Sequence, residues 1–514
     1  MDYNINVLHI GKKDTKSEYM LPPEVTWFHV DPLECTEIPA RIKNKELPVF
    51  EVILMEQEIN DLYYMESAIN PYSLVLFRDK DRELSSAFEE LIRRKMGFVI
   101  DKERSNDFIE HLPQKFFSGQ YGDKLHIDEA DISRQFVKDI VFDGNRSVSM
   151  EGNFGKKWSS IVSFRYNVPL DKGQPLELWL EFTKDESVDL RIVVRSIRAG
   201  TANELTSTRI FEDELRDLCG TMLLEEYEEN TRLAFTLQVR GKGRINVGNL
   251  HYRYSHLGYG ILMTGGAKRQ DKSREEIISF FDPMDRKPPL CVYFSGYRTA
   301  EGFEAYYMMK SFGAPFLLLA DPRLEGGAFY VGSKEYEEQI GKIIRDCLDE
   351  LGFDGRQLIL SGISMGSTGA LYYSPNFLPY QVIVGKPLTN LGSIAFNEKY
   401  HRPGEFPTSL DVLRSLTGGV GQEHIVRADN YFWDKFDSGD FSDTRFAISY
   451  MREDDYDRTG YEDLVRHLSS KEVTIYGKGM TGRHNDNTSG VVEWFRARYL
   501  RVLRDAFSRS IDEN

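Results

Sequence analysis

The chain has 514 residues, which at roughly 150 residues per domain is enough for about three domains. Its 41% hydrophobic residues suffice for a buried core, and its 41 Gly and 19 Pro follow no period, which excludes a fibrous repeat and a chain that stays unfolded. A net charge of -16, with no local basic patch to reverse it, sets the chain against nucleic acid phosphates and anionic lipid.

The first region, residues 1–118, alternates short apolar runs (Val7 to Ile10, Val25 to Val30, Phe50 to Met55, Leu74 to Phe77, Phe98 to Ile100) with polar segments. Ser85 to Lys95 reads as an amphipathic helix with Phe88, Leu91 and Ile92 on one face. Buried strands separated by helices predict a small α/β domain with a parallel sheet. No Gly-x-Gly-x-x-Gly follows any of these strands, so a nucleotide site has no support and a docking role is the simpler reading.

The second region, residues 125–262, changes to period two. Val162 to Val168, Leu176 to Phe182, Leu190 to Val194, Leu233 to Val239 and Ile245 to Tyr252 alternate apolar and polar residues. Such strands predict an antiparallel β-sandwich of jelly-roll type, suited to binding carbohydrate or a partner protein. Trp158 and Tyr166 are candidate sugar-stacking rings, with core packing as the alternative. The polar stretch Gly265 to Glu276 reads as a linker.

The third region, residues 277–514, predicts an α/β-hydrolase domain. Leu290 to Phe294 and Phe316 to Ala320 read as buried strands. Lys334 to Leu351 reads as a helix capped by Ser333 and closed by Gly352. Strand Leu358 to Leu360 then runs directly into Gly362-Ile363-Ser364-Met365-Gly366, with a helix beyond. Strand, Gly-x-Ser-x-Gly, helix is a nucleophile elbow, whose tight turn requires small residues at Gly362 and Gly366 and exposes the Ser364 hydroxyl.

A serine nucleophile needs a base, and the base needs an acid to fix its tautomer. In this fold they follow in the order Ser, acid, His. Of the four later histidines, His467 falls on a helix surface, and His401 and His424 come before the last two strands. His484 lies in a Gly-rich loop between the last strand, Val473 to Tyr476, and the last helix, Val491 to Phe507, where the base belongs. The acid should follow strand Phe446 to Tyr450. Carboxylates crowd there; Asp454 is the choice, with Glu453 and Asp455 in reserve. The oxyanion donors should be the backbone N–H of Met365 and that of Tyr297, which follows Gly296 after the first strand of the domain. Arg298 is an alternative anion contact. No metal-ligand spacing is visible, so no metal is expected.

Four cysteines (Cys35, Cys219, Cys291 and Cys347), widely spaced, predict neither a disulfide framework nor a structural zinc site. The start Met1-Asp2-Tyr3-Asn4 lacks the basic and apolar runs of a signal peptide, and no apolar run approaches the ~18 residues of a membrane span. A cytoplasmic protein is expected, one that reaches a membrane only through partners.

This three-part layout, with Ser-Gly-Tyr-Arg, Gly-Ile-Ser-Met-Gly-Ser and the late Gly-Arg-His, resembles the family of second accessory proteins of the accessory Sec system. That system exports glycosylated serine-rich repeat adhesins from streptococci and related bacteria. The resemblance implies an O-acetyltransferase that modifies N-acetylglucosamine on the adhesin. Its triad would fall on Ser364, His484 and one of Glu453, Asp454 and Asp455. The resemblance also implies partners: two sister accessory proteins, the accessory SecA-type motor and the adhesin itself. No bound cofactor is expected; the acyl donor, for which acetyl-CoA is a candidate, is left open. A carbohydrate esterase or other serine hydrolase, and a non-catalytic export scaffold with a hydrolase fold, are the competing readings.

Overall fold

The computed structural model describes residues 4–80, 83–135, 137–212, 220–225, 227–402 and 406–510; Cys219 and the first three residues lie outside them. The chain forms two compact units. One comprises Met1–Gln120, Ser255–Ala267 and Phe280–Lys287, and the other Tyr121–Tyr254, Lys268–Ser279 and Pro288–Asn514.

In the first unit, strands Ile5–Ile10, Val25–Val30, Val52–Met55, Leu74–Arg78 and Phe98–Asp101 pair in parallel throughout. Their order across the sheet is second, first, third, fourth, fifth. Because successive side chains point to opposite faces, each strand feeds two cores. Leu8, Ile53, Leu74 and Leu76 pack with Phe88, Leu91 and Ile92 of helix Ser86–Arg94. Val7, Val52, Leu54 and Val75 pack on the other face with Phe108, Leu112 and Phe116. Ser85 stands outside its helix as the N-cap, its hydroxyl accepting from the Phe88 amide at 3.2 Å.

The second unit begins with an antiparallel β-region. Its centre is one 24-residue strand, Thr231–Tyr254, which pairs with Val188–Arg198, Leu176–Lys184 and Ser147–Ser163. The pairings join these strands into one connected ten-stranded sheet, because this strand does not stop at its glycines. Gly241 (φ 100°) and Gly243 (φ 154°) take backbone angles closed to other residues, and the register shifts there without ending the strand. The buried residues of these strands form one core. Trp158 and Tyr166 are outside that core: the Trp158 ring is stacked against the Arg191 and Arg240 guanidiniums, 4.4 and 4.6 Å away, and Tyr166 is exposed.

The stretch expected as a linker forms strands Ala267–Gln270 and Glu276–Asp282. Its charges looked solvated in sequence but are paired. Lys268 donates to Glu276 at 2.7 Å and lies 3.7 Å over the Trp179 ring, and Asp271 accepts the amides of Ser273 and Glu275 to make the turn. These strands extend a sheet whose parallel part runs Phe316–Ala320, Leu290–Phe294, Leu358–Ile363, Gln381–Gly385, Arg445–Met451, Thr474–Met480. Helices Lys334–Leu351, Met365–Phe377 and Thr488–Phe507 accompany these strands. Among the described residues, no helix is long and apolar enough to cross a membrane.

Candidate active site

Strand Leu358–Ile363 ends one residue before Ser364, and helix Met365–Phe377 starts one residue after it. A turn this abrupt forces Ser364 to φ 56°, ψ -125°, a conformation that costs a non-glycine residue on the order of 1–3 kcal/mol. Three bonds hold it: its N–H donates to Gly385 O at 2.9 Å, and its carbonyl accepts from the amide and the hydroxyl of Ser367. The flanking glycines are obligatory. A Cβ on Gly362 would stand 2.2 Å from the Gly366 carbonyl oxygen, and one on Gly366 would stand 2.0 Å from that of Phe294.

The strain turns the Ser364 side chain away from its own helix and toward His484. Ser364 Oγ and His484 Nε2 are 2.8 Å apart, and His484 Nδ1 is 2.8 Å from Asp454 Oδ2. An ionised carboxylate only accepts, so Nδ1–H donates to Asp454 and the Nε2 lone pair is left to accept the serine proton. His484 is buried, and Asp454 is fixed through its other oxygen, which accepts the Tyr456 amide at 2.9 Å.

The neighbouring carboxylates hold the backbone of the loop that carries the base. Glu453 accepts the amide of Gly482, and Asp455 accepts the His484 backbone N–H at 3.0 Å. Asp455 also pairs with Arg402 at 2.6 Å. Burial would raise the Asp455 pKa, but the His484 amide and Arg402 outweigh it and hold the group below its usual range.

Three further residues surround the relay, and two of them, Arg402 and Lys386, were not legible in the sequence. Tyr456 lies flat on the His484 ring, centroids 4.1 Å apart and planes 6° apart, and Arg402 covers its other face at 3.7 Å. Lys386, buried at the end of strand Gln381–Gly385, donates to Thr488 at 2.8 Å. Burial lowers its pKa while the Asp454 charge works the other way. Only Tyr456 carried a signal, its place in the acidic loop two residues after Asp454.

The loop after strand Leu290–Phe294 lies beside the elbow: a Cβ on Gly296 would stand 3.2 Å from Ile363 O. The Gly296 N–H donates to Glu304 at 2.7 Å, so it is spent. The Tyr297 ring meets Phe406 edge-on at 6.0 Å, and its hydroxyl is 3.5 Å from Glu325. Met365 follows the nucleophile as the first helical residue, where backbone N–H groups have no partner within the helix.

The model of one protein family, described as Asp2, accessory Sec system GspB-transporter, matches residues 5–509. The chain is 38% identical over 512 residues to the accessory Sec system protein Asp2 of Streptococcus gordonii, covering 99% of this chain and 100% of that one. It is 36% identical over 519 residues to the protein of the same description from Staphylococcus aureus, covering 99% and 98%. A solved structure, the glycosylation-associated Gap123 complex of Streptococcus agalactiae, holds a chain that matches with a TM-score of 0.90 at 36% identity, over 98% of this chain and 99% of that one.

Proposed function

The chain belongs to the Asp2 family of the accessory Sec system, and we propose that within it the chain is a serine acyltransferase of α/β-hydrolase type. It O-acetylates N-acetylglucosamine on a serine-rich repeat glycoprotein and takes part in that protein's export. The observation that carries the reading is the unbroken relay Ser364–His484–Asp454, with both contacts at 2.8 Å.

The steps follow from that relay. Ser364 Oγ attacks the carbonyl carbon of an acyl donor such as acetyl-CoA while its proton passes to His484 Nε2. Asp454 stabilises the imidazolium that forms. The oxyanion of the tetrahedral intermediate takes the backbone N–H groups of Met365 and Tyr297. His484 then gives its proton to the leaving group as the carbon–leaving group bond breaks, and an acyl ester remains on Ser364. A sugar hydroxyl gives its proton to His484 and attacks the ester carbon; as the bond to Ser364 Oγ breaks, His484 returns the proton to that oxygen, which leaves the acyl group on the sugar and restores the serine.

The partners in this reading are two sister accessory proteins, the accessory SecA-type motor and the adhesin. The working place is the inner face of the membrane, reached through the export complex. Mass spectrometry of the exported adhesin from cells carrying Ser364→Ala tests the reading. Glycopeptides should lose an increment of about 42 Da per acetyl group, the mass that an acyl-serine route transfers. Unchanged acetylation in that strain would end the serine mechanism.

A further inference from the structure

At the carboxyl edge of the first unit's sheet, side chains from separate strands converge. Strands Ile5–Ile10 and Val25–Val30 run in parallel with His9 opposite His29, and the two rings face each other through their Nδ1 atoms at 3.1 Å. Asp14, in the loop after the first of these strands, brings a carboxylate oxygen, and the three ligand-type atoms lie within 4.8 Å of one another. The Asp14 carboxylate is itself oriented, its Oδ1 accepting the Lys16 amide and the Trp27 indole N–H, both at 3.0 Å. A hollow of about 480 Å³, lined by Asp14, Lys16, Ser17, Tyr19 and Leu21, opens beside it.

We propose that His9 Nδ1, His29 Nδ1 and the Asp14 carboxylate bind a divalent cation of the zinc class. Two nitrogens 3.1 Å apart subtend about 100° at an ion roughly 2.0–2.1 Å from each, close to the angle of a tetrahedral site. Two imidazoles and a carboxylate are a donor set for zinc with a fourth position open.

The groups around the other His9 nitrogen fit the same reading. His9 is buried, and its other nitrogen, Nε2, is 3.3 Å from the Thr15 hydroxyl and 3.7 Å from Glu56 Oε1. That carboxylate oxygen is buried and makes no hydrogen bond. An Nε2–H aimed at Glu56 leaves the Nδ1 lone pair pointing to His29, which is the tautomer a metal-bound histidine adopts when a carboxylate supports it.

In a parallel sheet of order second, first, third, fourth, fifth, ligands bind outside the carboxyl ends of the strands where the order reverses, between the first and third. The two histidines stand on the first and second strands, one strand away from the reversal of strand order, and only Glu56 reaches the site from the side of the third. No motif of ligand spacing announces the site, because strand register and not local sequence brings His9 and His29 together.

The test uses the full chain, stripped of metal by a chelator and titrated with Zn²⁺ in a calorimeter. Wild type should bind an equivalent of Zn²⁺ that His29→Ala loses, with Asp14→Asn keeping the fold and weakening the same equivalent. Glu56→Gln should weaken it by about 10–100-fold, an effect on affinity that a merely structural carboxylate would not produce. Circular dichroism of each variant separates lost ligands from lost folding. If wild type takes up no Zn²⁺, or if folded Asp14→Asn and Glu56→Gln bind it as wild type does, the proposal is wrong.

Discussion

Ser85 and Ser364 each stand between a strand and a helix, and they do opposite things. Ser85, in the first unit, sits at φ -65°, ψ 147°, an open conformation that lets its hydroxyl turn back and cap the Phe88 amide. Ser364, in the second, sits at φ 56°, ψ -125°; its side chain makes no cap bond and faces His484 instead. The residue type and place in the chain are alike, and the backbone decides between them. A relaxed serine uses its oxygen to hold a helix, whereas a strained one, squeezed between Gly362 and Gly366, presents it to a base.

The comparison is broken most directly by removing each oxygen. Ser364→Ala should lower acyl transfer on the order of 10³- to 10⁶-fold, the range for a lost triad nucleophile. Its unfolding midpoint should stay near wild type, since no cap is lost. Acyl transfer to a soluble sugar acceptor, measured beside the chemical denaturation curve, reads both. Full activity in the folded variant would remove the contrast.

The acidic loop gives the next largest effect. Asp454→Asn leaves shape intact but takes away the charge that fixes the His484 tautomer, a change worth about 10⁴-fold in triad enzymes. Asp455→Asn and Glu453→Gln alter groups that hold the loop backbone, at the amides of His484 and Gly482, and should cost far less. Rates for the three variants on one acyl ester sort them. Equal and mild losses would take Asp454 out of the relay.

What made the candidate site legible is that its residues lie in short stretches. Gly362 to Gly366 forms one turn, and the acid and base each occupy one loop after a late strand, so strand order alone narrowed the choice. Glu453, Asp454 and Asp455 are all engaged there, and only distance in space singles out Asp454 as the partner of the His484 ring. Arg402 stacking on Tyr456 left no pattern, because Arg402 comes from a distant segment. In the first unit the parallel strands read well from their apolar runs, yet the meeting of His9 and His29 depends on register between strands. The linker reading failed for a related reason: Lys268 and Glu276 look solvated singly and are a pair in space.

A smaller effect, on stability, separates the units by pH. In the second unit the buried His251 is bonded to Glu301 and Glu181, and Arg253 joins Glu301 to Glu276. Burial alone would lower the His251 pKa, but the two carboxylates more than compensate and raise it to about 9 from 6.5. The folded state therefore favours the charged ring. The stabilisation is full below pH 6.5 and is lost as pH rises through 9, a change on the order of 3 kcal/mol. Denaturation midpoints taken from pH 6 to pH 10 should fall across this window and fall less in His251→Gln. A wild-type curve no steeper than that of the variant would mean that His251 is uncharged in the fold.

The smallest effect returns to Ser85. Its hydroxyl satisfies one of the helix's unpaired amides and bonds Glu58, whose other oxygen takes the Ser85 N–H at 3.1 Å. Ser85→Ala removes the cap and should cost about 1 kcal/mol, with acyl transfer unchanged. The replacement that restores stability discriminates the cause. Asn caps about as well as Ser and carries no charge, so Ser85→Asn should recover most of the loss. Asp caps equally well in isolation, but here it would face the Glu58 carboxylate and should recover less. If Asp rescued as fully as Asn, the Glu58 contact would have no weight in the first unit. If Ser85→Ala lowered acyl transfer with stability intact, the division between a serine that holds and a serine that reacts would fail.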